Sequence, residues 1–207
     1  MKRLQRYKVI FWDFDGVIMD SMPIRALGFV KTLADFPKSE VDRLLDFHNS
    51  NGGLSRYVKF RHFFEVIREE KVSDAQIMEL ANKFSEVMLS LLLNESLLIN
   101  DSVSFIRQNY MNYIFHIVSG SDGNELRTIC KELSLDKYFL TIEGSPTPKK
   151  QLVCDILRKG RYSQSECCLI GDSHNDAEAA DVNRIAFYGY NNEKLKDDHL
   201  YIENFSV

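Results

Sequence analysis

Two aspartates separated by one residue follow the apolar run Val9–Trp12 near the start of the chain. Asp13 and Asp15 alternate with Phe14, so an extended backbone places both carboxylates on one side, where they could share a site. Burying two carboxylates together is costly unless a cation or hydrogen bonds compensate. The pair therefore indicates a site that holds a cation or is rich in hydrogen-bond donors. A plain turn at a strand end, completed by Gly16, uses the same residue types.

A second pair of aspartates follows another apolar run, at residues 167–170. Gly171 ends this run, and Asp172 and Asp176 come four residues apart at the expected start of a helix. We expect Asp172 at the end of a strand and Asp176 in the first helical turn, so both could point into the same crevice as Asp13. Acids in a first helical turn also interact favourably with the helix dipole, which is the alternative explanation.

Ser119 and Gly120 follow a third apolar run and precede a predicted helix. Small residues let backbone N–H groups approach an anion, the helix N-terminus adds partial positive charge, and the serine hydroxyl adds a donor. The pattern predicts a phosphate-binding turn, although an ordinary Ser or Asp helix cap has a similar composition.

Two adjacent lysines follow the turn at residues 144–148, which contains two prolines. A lysine held by such a stiff turn beside carboxylates could neutralise a phosphate, whereas most lysines are solvated surface charges. We favour Lys149 over Lys150, because Lys149 comes first after the turn and the helix is expected to begin beyond it.

The elements that must position these residues are short strands alternating with helices. Five apolar runs predict strands, at residues 9–12, 113–118, 138–142, 167–170 and 185–188. Continuous apolar runs are typical of strands covered on both faces, as in a parallel sheet. Helical patterns separate the later runs, at residues 101–110, 122–133, 149–159 and 174–182. This alternation predicts an α/β fold with a doubly wound parallel sheet. Ligands bind outside the carboxyl ends of such strands, where all four motifs lie.

Residues 21–98 differ, because they contain no convincing strand. Apolar residues recur there at helical spacing in three sets, which are Ile24, Leu27, Val30 and Ala34; Tyr57, Phe60, Phe64 and Ile67; and Ile77, Leu80, Phe84, Val87 and Leu91. Ser73 and Gln76 form a capping-box pattern before the last set. We predict a core of residues 1–20 and 99–207, interrupted by a smaller all-helical domain at residues 21–98.

The composition limits the classes of function. The 207 residues suit one domain with an insertion, and 44% hydrophobic with 27% charged residues is typical of a globular protein. The net charge of −4, from 26 basic and 30 acidic residues, argues against nonspecific binding to nucleic acid or to a membrane surface. No apolar run approaches the roughly 18 residues that suggest a membrane span.

The cysteines and the N-terminus indicate the compartment. Cys130, Cys154, Cys167 and Cys168 form no C-x-x-C pair, so we expect free thiols in a reducing environment and neither disulfides nor a zinc site. The first apolar run is too short for the core of a signal peptide. We therefore expect a cytoplasmic protein that is not exported.

Together and in this order, the four motifs resemble those of the haloacid dehalogenase superfamily of phosphotransferases. The resemblance rests on Asp13-Phe-Asp15-Gly, on Ser119 after its strand, on Lys149 (or Lys150), and on Gly171-Asp172-x-x-x-Asp176. It spans the whole chain, because the helical insertion falls where the family's helical cap often lies. Residues 13–21 resemble the opening of capped phosphatases and sugar-phosphate mutases of this superfamily.

The resemblance implies a role for each motif. Asp13 would be the nucleophile that forms an aspartyl phosphate, and Asp15 would protonate the leaving oxygen and then take a proton from water. Mg²⁺ would be held by Asp13, the main-chain carbonyl of Asp15, Asp172 and, through water, Asp176. The phosphoryl oxygens would be held by Ser119, Lys149 and backbone N–H groups near Asp15, Gly16 and Gly120.

Two cations in the helical insertion could contribute to substrate specificity. Arg56 and Lys59 follow the Gly52-Gly53 loop at i, i+3 spacing, so a helix presents both on one face. They could meet an anionic or hydroxyl-rich substrate, as expected of a cap loop. Solvated surface charges are the alternative.

The resemblance implies a Mg²⁺-dependent phosphatase acting on a small phosphorylated metabolite, such as a sugar phosphate or phosphoglycolate. Asp15 favours phosphate esters over dehalogenation, because a halide leaving group needs no proton. A phosphosugar mutase of the β-phosphoglucomutase type uses the same motifs and is the alternative enzyme. A phospho-acceptor receiver domain is disfavoured by the late Asp172 and Asp176 pair and by the long helical insertion. A catalytically silent binding module is disfavoured because all four motifs are intact.

Overall fold

Six parallel strands form one sheet in the computed structural model, which describes residues 4–205. The strands are β1 Val9–Trp12, β2 Ile114–Asp122, β3 Thr141–Ser145, β4 Cys167–Gly171, β5 Ala186–Tyr190 and β6 Leu200–Ile202. Their spatial order is β3-β2-β1-β4-β5-β6, and every neighbouring pair is parallel. The arrangement confirms the predicted doubly wound α/β fold and places β1 between β2 and β4.

Helices cover both faces of this sheet and account for the burial of β1. The helices are α1 Met22–Thr32, α2 Lys38–Ser50, α3 Arg56–His62, α4 Asp74–Leu92, α5 Asn100–Asn109, α6 Gly123–Glu132, α7 Lys149–Gly160 and α8 His174–Val182. On one face Trp12 packs against Phe105 and Phe115. On the other face Phe11 and Leu169 belong to a separate apolar cluster. A strand buried on both faces holds the residue that follows it, Asp13, at a rigid position.

The segment between β1 and β2 begins with four helices and contains no strand among its described residues. A π-helical turn, Phe63–Ile67, continues α3, and a 3₁₀ turn, Glu95–Leu97, follows α4. Ser73 and Gln76 form the expected capping box at the start of α4. None of the helices in residues 4–205 is both long enough and apolar enough to cross a membrane.

The chain enters and leaves this helical segment through two adjacent stretches of backbone that are hydrogen-bonded to each other. The N–H of Asp20 donates to the carbonyl of Leu97 at 2.8 Å, and the N–H of Ile99 donates to the carbonyl of Ile18 at 2.9 Å. Both crossings therefore lie side by side.

Several details differ from the sequence predictions, and one is that β2 continues to Asp122, past the predicted strand end at residue 118. The strand predicted at residues 138–142 begins only at Thr141, because a 3₁₀ turn, Asp136–Tyr138, comes first and Leu140 is 66% exposed. The short strand β6 was not predicted. In α1 the predicted apolar stripe is not the buried face, since Leu27 and Val30 are exposed. Gly28 instead lies against α4, where a Cβ on it would meet Met88 Cε at 2.3 Å.

Candidate active site

Three carboxylates converge at the carboxyl edge of the sheet. Asp13 follows β1, Asp172 follows β4, and Asp176 lies in the first turn of α8. One oxygen of each lies within 4.8 Å of the others. The parallel pairing of Trp12 with Ile170 places the ends of β1 and β4 side by side. This register brings Asp13 close to Asp172, although the two residues are far apart in sequence.

Gly16 makes room for one of these carboxylates. Its φ is +76°, in the region that favours glycine, and a Cβ on it would lie 2.0 Å from Oδ2 of Asp172. Its N–H donates to the carbonyl of Met19 at 2.8 Å. The predicted use of this N–H as a phosphate donor therefore does not match the arrangement seen, in which Gly16 shapes the turn beside Asp172.

Lys149, at the start of α7, is the cation of the carboxylate cluster. Its Nζ lies 2.9 Å from Oδ1 of Asp13 and also contacts Asp176. Burial lowers the pKa of Lys149, but Asp13 and Asp176 outweigh this effect and raise it above its ordinary value. Lys150 instead pairs with Glu178 on the surface at 3.1 Å. Of the two lysines, the structure brings only Lys149 to the cluster.

The cluster carries more negative charge than one lysine neutralises. Burial raises the pKa of Asp13 well above its ordinary value, and Asp176 and Asp172 raise it further, although Lys149 opposes them. Burial and Asp176 likewise raise the pKa of Asp172 to about 7. A divalent cation would relieve this repulsion, and carboxylate oxygens are the donors that Mg²⁺ prefers. The residues present therefore fit a Mg²⁺ ion.

Asp176 differs from the other two acids because both its oxygens already have partners. Oδ2 accepts hydrogen bonds from the N–H of Ser173 at 3.1 Å and from its hydroxyl at 2.5 Å, and Oδ1 accepts one from Lys149. These bonds suit a residue that orients Lys149 and supports a cation indirectly.

The side chain of Asp15 lies outside this cluster and faces the helical segment. It accepts hydrogen bonds from Ser21 and Ser121 and from Nε of Arg25 at 2.5 Å. Burial raises the pKa of Asp15, but Arg25 and the two serines outweigh burial and lower it to about 2. Its main-chain carbonyl therefore stays the candidate metal ligand that the family resemblance implies.

Ser119 and Gly120 lie within the last four residues of β2, close to Asp15. The hydroxyl of Ser119 donates to Oδ2 of Asp15 at 3.5 Å and accepts from the N–H of Ser121 at 3.0 Å. Gly120 touches the loop of the helical segment, because a Cβ on it would lie 2.4 Å from the carbonyl oxygen of Gly53. A backbone-to-backbone contact therefore closes the helical segment over the phosphate-binding turn predicted from sequence.

Arg56 and Lys59 lie on α3, on the side of the helical segment that faces the core. They are 4% and 3% exposed and line the same cavity as Asp13 and Asp15, so the surface-charge alternative does not hold. The cavity measures about 20 Å³, which leaves space for little more than one water molecule. A phosphate ester could enter only if the helical segment moved away from the core.

The charge of Arg56 is met by the core. Its Nη2 lies 2.7 Å from Oε2 of Glu125, its Nη1 donates to Ser85 at 2.6 Å, and its guanidinium lies over the ring of Phe84. Arg25 reaches the other oxygen of Glu125 at 2.9 Å. Glu125 therefore ties two arginines of the helical segment to α6.

Four of these site residues were missed in the sequence, namely Ser21, Arg25, Ser121 and Glu125. Ser121 carries the one usable signal, because alternation along β2 places it on the same side as Ser119. Arg25 and Glu125 are charged residues on helices, where solvent exposure is the ordinary expectation. Only the fold brings them together, across 100 residues of chain.

Comparison with known sequences gives a family match over most of the chain. Residues 7–181 match the family described as haloacid dehalogenase-like hydrolase. The chain is 24% identical, over 199 residues, to a phosphoglycolate phosphatase of Colwellia psychrerythraea, and the alignment covers 91% of this chain and 88% of that protein.

Solved structures show the same fold at lower identity. A predicted phosphoglycolate phosphatase from Haemophilus somnus superposes with a TM-score of 0.77 at 19% identity, covering 97% of this chain and 95% of the other. A β-phosphoglucomutase from Clostridium difficile gives the same TM-score, 0.77, at 15% identity, covering 96% and 92%.

Proposed function

The chain belongs to the haloacid dehalogenase-like hydrolases, and from this premise we propose that it is a Mg²⁺-dependent phosphatase that hydrolyses a small phosphomonoester through an aspartyl phosphate. The observation that carries the proposal is the meeting of Asp13, Asp172 and Lys149 at one edge of the sheet, with Asp15 beside them. Phosphoryl transfer depends mainly on positioning and charge neutralisation, which this arrangement offers.

Asp13, Asp172 and the main-chain carbonyl of Asp15 would hold Mg²⁺, with Asp176 behind them. When bound, the ion would neutralise charge on the phosphoryl oxygens and on the carboxylates around them. Lys149 lies between Asp13 and Asp176. It would bind a phosphoryl oxygen while keeping its contact with the nucleophile Asp13. Ser119 would donate its hydroxyl to another of these oxygens.

Asp13 would attack phosphorus, and the leaving oxygen would take a proton from Asp15. Asp15 is ionised while Arg25, Ser21 and Ser121 hold it, so it is set as a base in the closed arrangement. To act as an acid it must first part from Arg25 and take up a proton from solvent, which opening of the helical segment would allow. Proton transfer and substrate entry would therefore depend on the same movement.

We propose that residues 21–98 are the cap that moves. The two adjacent backbone crossings at Asp20 and Ile99 would act as its hinge, and the contact between Gly53 and Gly120 would mark its closed position. Closure would exclude water from the aspartyl phosphate except for the attacking molecule. Small phosphorylated metabolites, among them phosphoglycolate and sugar phosphates, are the substrates that fit such a site.

The test is release of inorganic phosphate from a panel of phosphorylated metabolites, assayed with Mg²⁺ and with excess EDTA. We expect release that requires the metal, and full turnover in EDTA would contradict the metal's role. Analysis of the products from a hexose 1-phosphate separates the two enzymes, because isomerised sugar phosphate without free phosphate would indicate a mutase.

A further inference from the structure

Two consecutive asparagines follow β5, and neither belongs to the four motifs of the site. Asn191 and Asn192 lie between the end of β5 and a 3₁₀ turn at Glu193–Leu195. β5 is parallel to β4, with Gly189 opposite Gly171, so the chain leaves both strands at the same edge of the sheet. The two asparagines therefore lie at the edge where the carboxylate cluster lies.

Asn192 holds the main chain of Asp172. Its Nδ2 donates to the carbonyl of Asp172 at 2.7 Å, and its Oδ1 accepts from the N–H of Lys194 at 3.2 Å. The peptide group that contains this carbonyl also contains the N–H of Ser173, which donates to Oδ2 of Asp176 at 3.1 Å. Because a peptide group is planar, the two bonds together fix its orientation between two acids of the cluster.

Asn191 holds the turn that follows β1, although β4 lies between β1 and β5 in the sheet. Its Nδ2 donates to the carbonyl of Gly16 at 2.9 Å, while the N–H of Gly16 donates to the carbonyl of Met19 at 2.8 Å. Gly16 is thus held on both sides, and its N–H shares a peptide group with the Asp15 carbonyl. The φ of Asn191 is +55°, a left-handed conformation that asparagine adopts more readily than most residues.

The two held segments lie directly against each other. A Cβ on Gly16 would lie 2.0 Å from Oδ2 of Asp172, so movement of either segment changes the position of the Asp172 carboxylate relative to Asp13. Like charges in the cluster repel one another and favour such movement. The asparagine amides are uncharged and bond to main-chain carbonyls, so they oppose the movement and leave the carboxylate oxygens free for a cation.

We propose that Asn191 and Asn192 are positioning residues that hold Asp172 and the Asp15 carbonyl at the separation needed to bind one divalent cation. The proposal rests on the Mg²⁺-dependent function proposed above and adds residues outside its motifs. Neither asparagine lines the cavity that contains Asp13, so both act through the main chain and not on substrate. Losing such a supporting hydrogen bond typically lowers metal affinity about 10- to 100-fold.

The first test measures Mg²⁺ binding without substrate, by competition with Mn²⁺ followed by electron paramagnetic resonance. We expect Asn192→Ala and Asn191→Gly each to bind Mg²⁺ about tenfold more weakly than the wild type. Glycine is chosen at position 191 because it keeps the left-handed conformation accessible. Asn191 is exposed and Asn192 is half-buried, so neither change opens a buried cavity, and the unfolding temperature in EDTA should stay within about 4 °C of wild type.

Asn94→Ala is the matched control, because Asn94 caps a 3₁₀ turn in the same way as Asn192. It precedes the turn Glu95–Leu97, and its Oδ1 accepts from the N–H of Ser96 at 3.0 Å. The substitution removes this capping bond in the helical segment, away from the carboxylate cluster. Its affinity for Mg²⁺ should therefore equal that of the wild type, and a loss as large as in Asn192→Ala would count against a specific role of Asn192.

Wild-type affinity for Mg²⁺ in both Asn191→Gly and Asn192→Ala would overturn the proposal. A lower unfolding temperature combined with wild-type affinity would assign the asparagines to fold stability alone. The binding comparison needs no substrate, so it separates this proposal from the proposed function. If the two variants bind Mg²⁺ weakly as expected and the wild type hydrolyses no phosphomonoester, the positioning role stands and the proposed function fails.

A kinetic measurement gives a second readout that a purely structural role would not change. With 4-nitrophenyl phosphate as substrate, the Mg²⁺ concentration for half-maximal activity should rise about tenfold in Asn192→Ala. At saturating Mg²⁺, kcat should recover and the KM for the ester should stay within about twofold of wild type, because no substrate contact is lost. A raised KM with an unchanged requirement for Mg²⁺ would contradict the proposal.

Discussion

Arg25 of the helical segment donates from Nε to Oδ1 of Asp15 in the core at 2.5 Å. This ion pair lies across the boundary between the two parts of the chain, with both side chains largely buried. A residue proposed to exchange protons with substrate is therefore held by the part of the protein that must move to admit substrate. The position of the helical segment and the charge of Asp15 are therefore physically linked through this contact.

Replacement of Arg25 by Met should be strongly destabilising. The change leaves Asp15 and Glu125 buried without Arg25, and breaking a buried ion pair from one side typically costs about 3–5 kcal/mol. The free energy of unfolding, measured in urea, checks this. Lys38→Met removes the exposed pair with Asp42 and should change stability by less than about 1 kcal/mol. Equal changes in the free energy of unfolding for the two substitutions would show that the buried ion pairs of Arg25 stabilise the fold no more than an exposed pair does.

Lys149→Met and Lys150→Met form a matched pair for activity. Lys149 contacts Asp13 and Asp176, whereas Lys150 pairs with Glu178 on the surface. Removing a charge that stabilises the transition state typically lowers kcat about 10²- to 10³-fold, which we expect for Lys149→Met. Lys150→Met should stay within about twofold of wild type, because an exposed pair contributes little. A larger loss in Lys150→Met than in Lys149→Met would reverse the assignment.

Gly120→Ala should prevent full closure of the cap. The new Cβ would lie 2.4 Å from the Gly53 carbonyl oxygen, which is backbone and cannot rotate away. We expect kcat/KM to fall by about tenfold or more through misplacement of the groups that closure brings together, and the Gly52–Gly53 loop to be cleaved faster in limited proteolysis.

The control in the same loop is Gly52→Ala, whose Cβ would meet the flexible end of Met22 at 3.2 Å. That side chain can move aside, so activity and proteolysis should stay close to wild type. Wild-type kinetics in Gly120→Ala would show that this contact is not needed for turnover.

His116 should make the fold less stable in acid. Burial lowers the pKa of His116 to about 4 from the ordinary 6.5. Between pH 4 and pH 6.5, His116 is therefore protonated in the unfolded chain but neutral in the folded chain. The stability from a neutral His116 is therefore present above pH 6.5 and is lost as the pH falls toward 4, by at most about 3 kcal/mol. His116→Phe keeps a ring against Phe11 and should flatten this part of the curve of unfolding free energy against pH. An unchanged slope would mean that His116 does not titrate as described.

The sequence predicted most of what lies along single strands and their ends. The run from Val9 has no polar residue and is followed at once by two acids, so both β1 and the position of Asp13 could be derived locally. Lys149 could be preferred over Lys150 from its place after a stiff turn. In each instance one short stretch of chain contains the whole signal.

The sequence could not predict features that depend on how the helical segment sits on the core. Helical spacing of Ile24, Leu27 and Val30 indicated a buried face, but α1 buries Arg25 and Phe29 instead, because Asp15 and the rings of α4 lie on that side. The neutralisation of Arg56 by Glu125 likewise joins residues with no shared local pattern. Such long-range charge pairing requires the tertiary structure.

Transfer of the phosphoryl group to Asp13 is tested most directly by acid quenching during turnover, followed by mass spectrometry of the peptide that contains Asp13. The Asp15→Asn variant should accumulate the intermediate when the substrate is 4-nitrophenyl phosphate, because that leaving group needs no proton and the variant side chain cannot take a proton from the attacking water. We predict a mass increase of one phosphoryl group on Asp13 in that variant and none in Asp13→Asn, which should also be inactive. Hydrolysis by Asp13→Asn at the wild-type rate, with no phosphate on Asp13 in any sample, would contradict the mechanism.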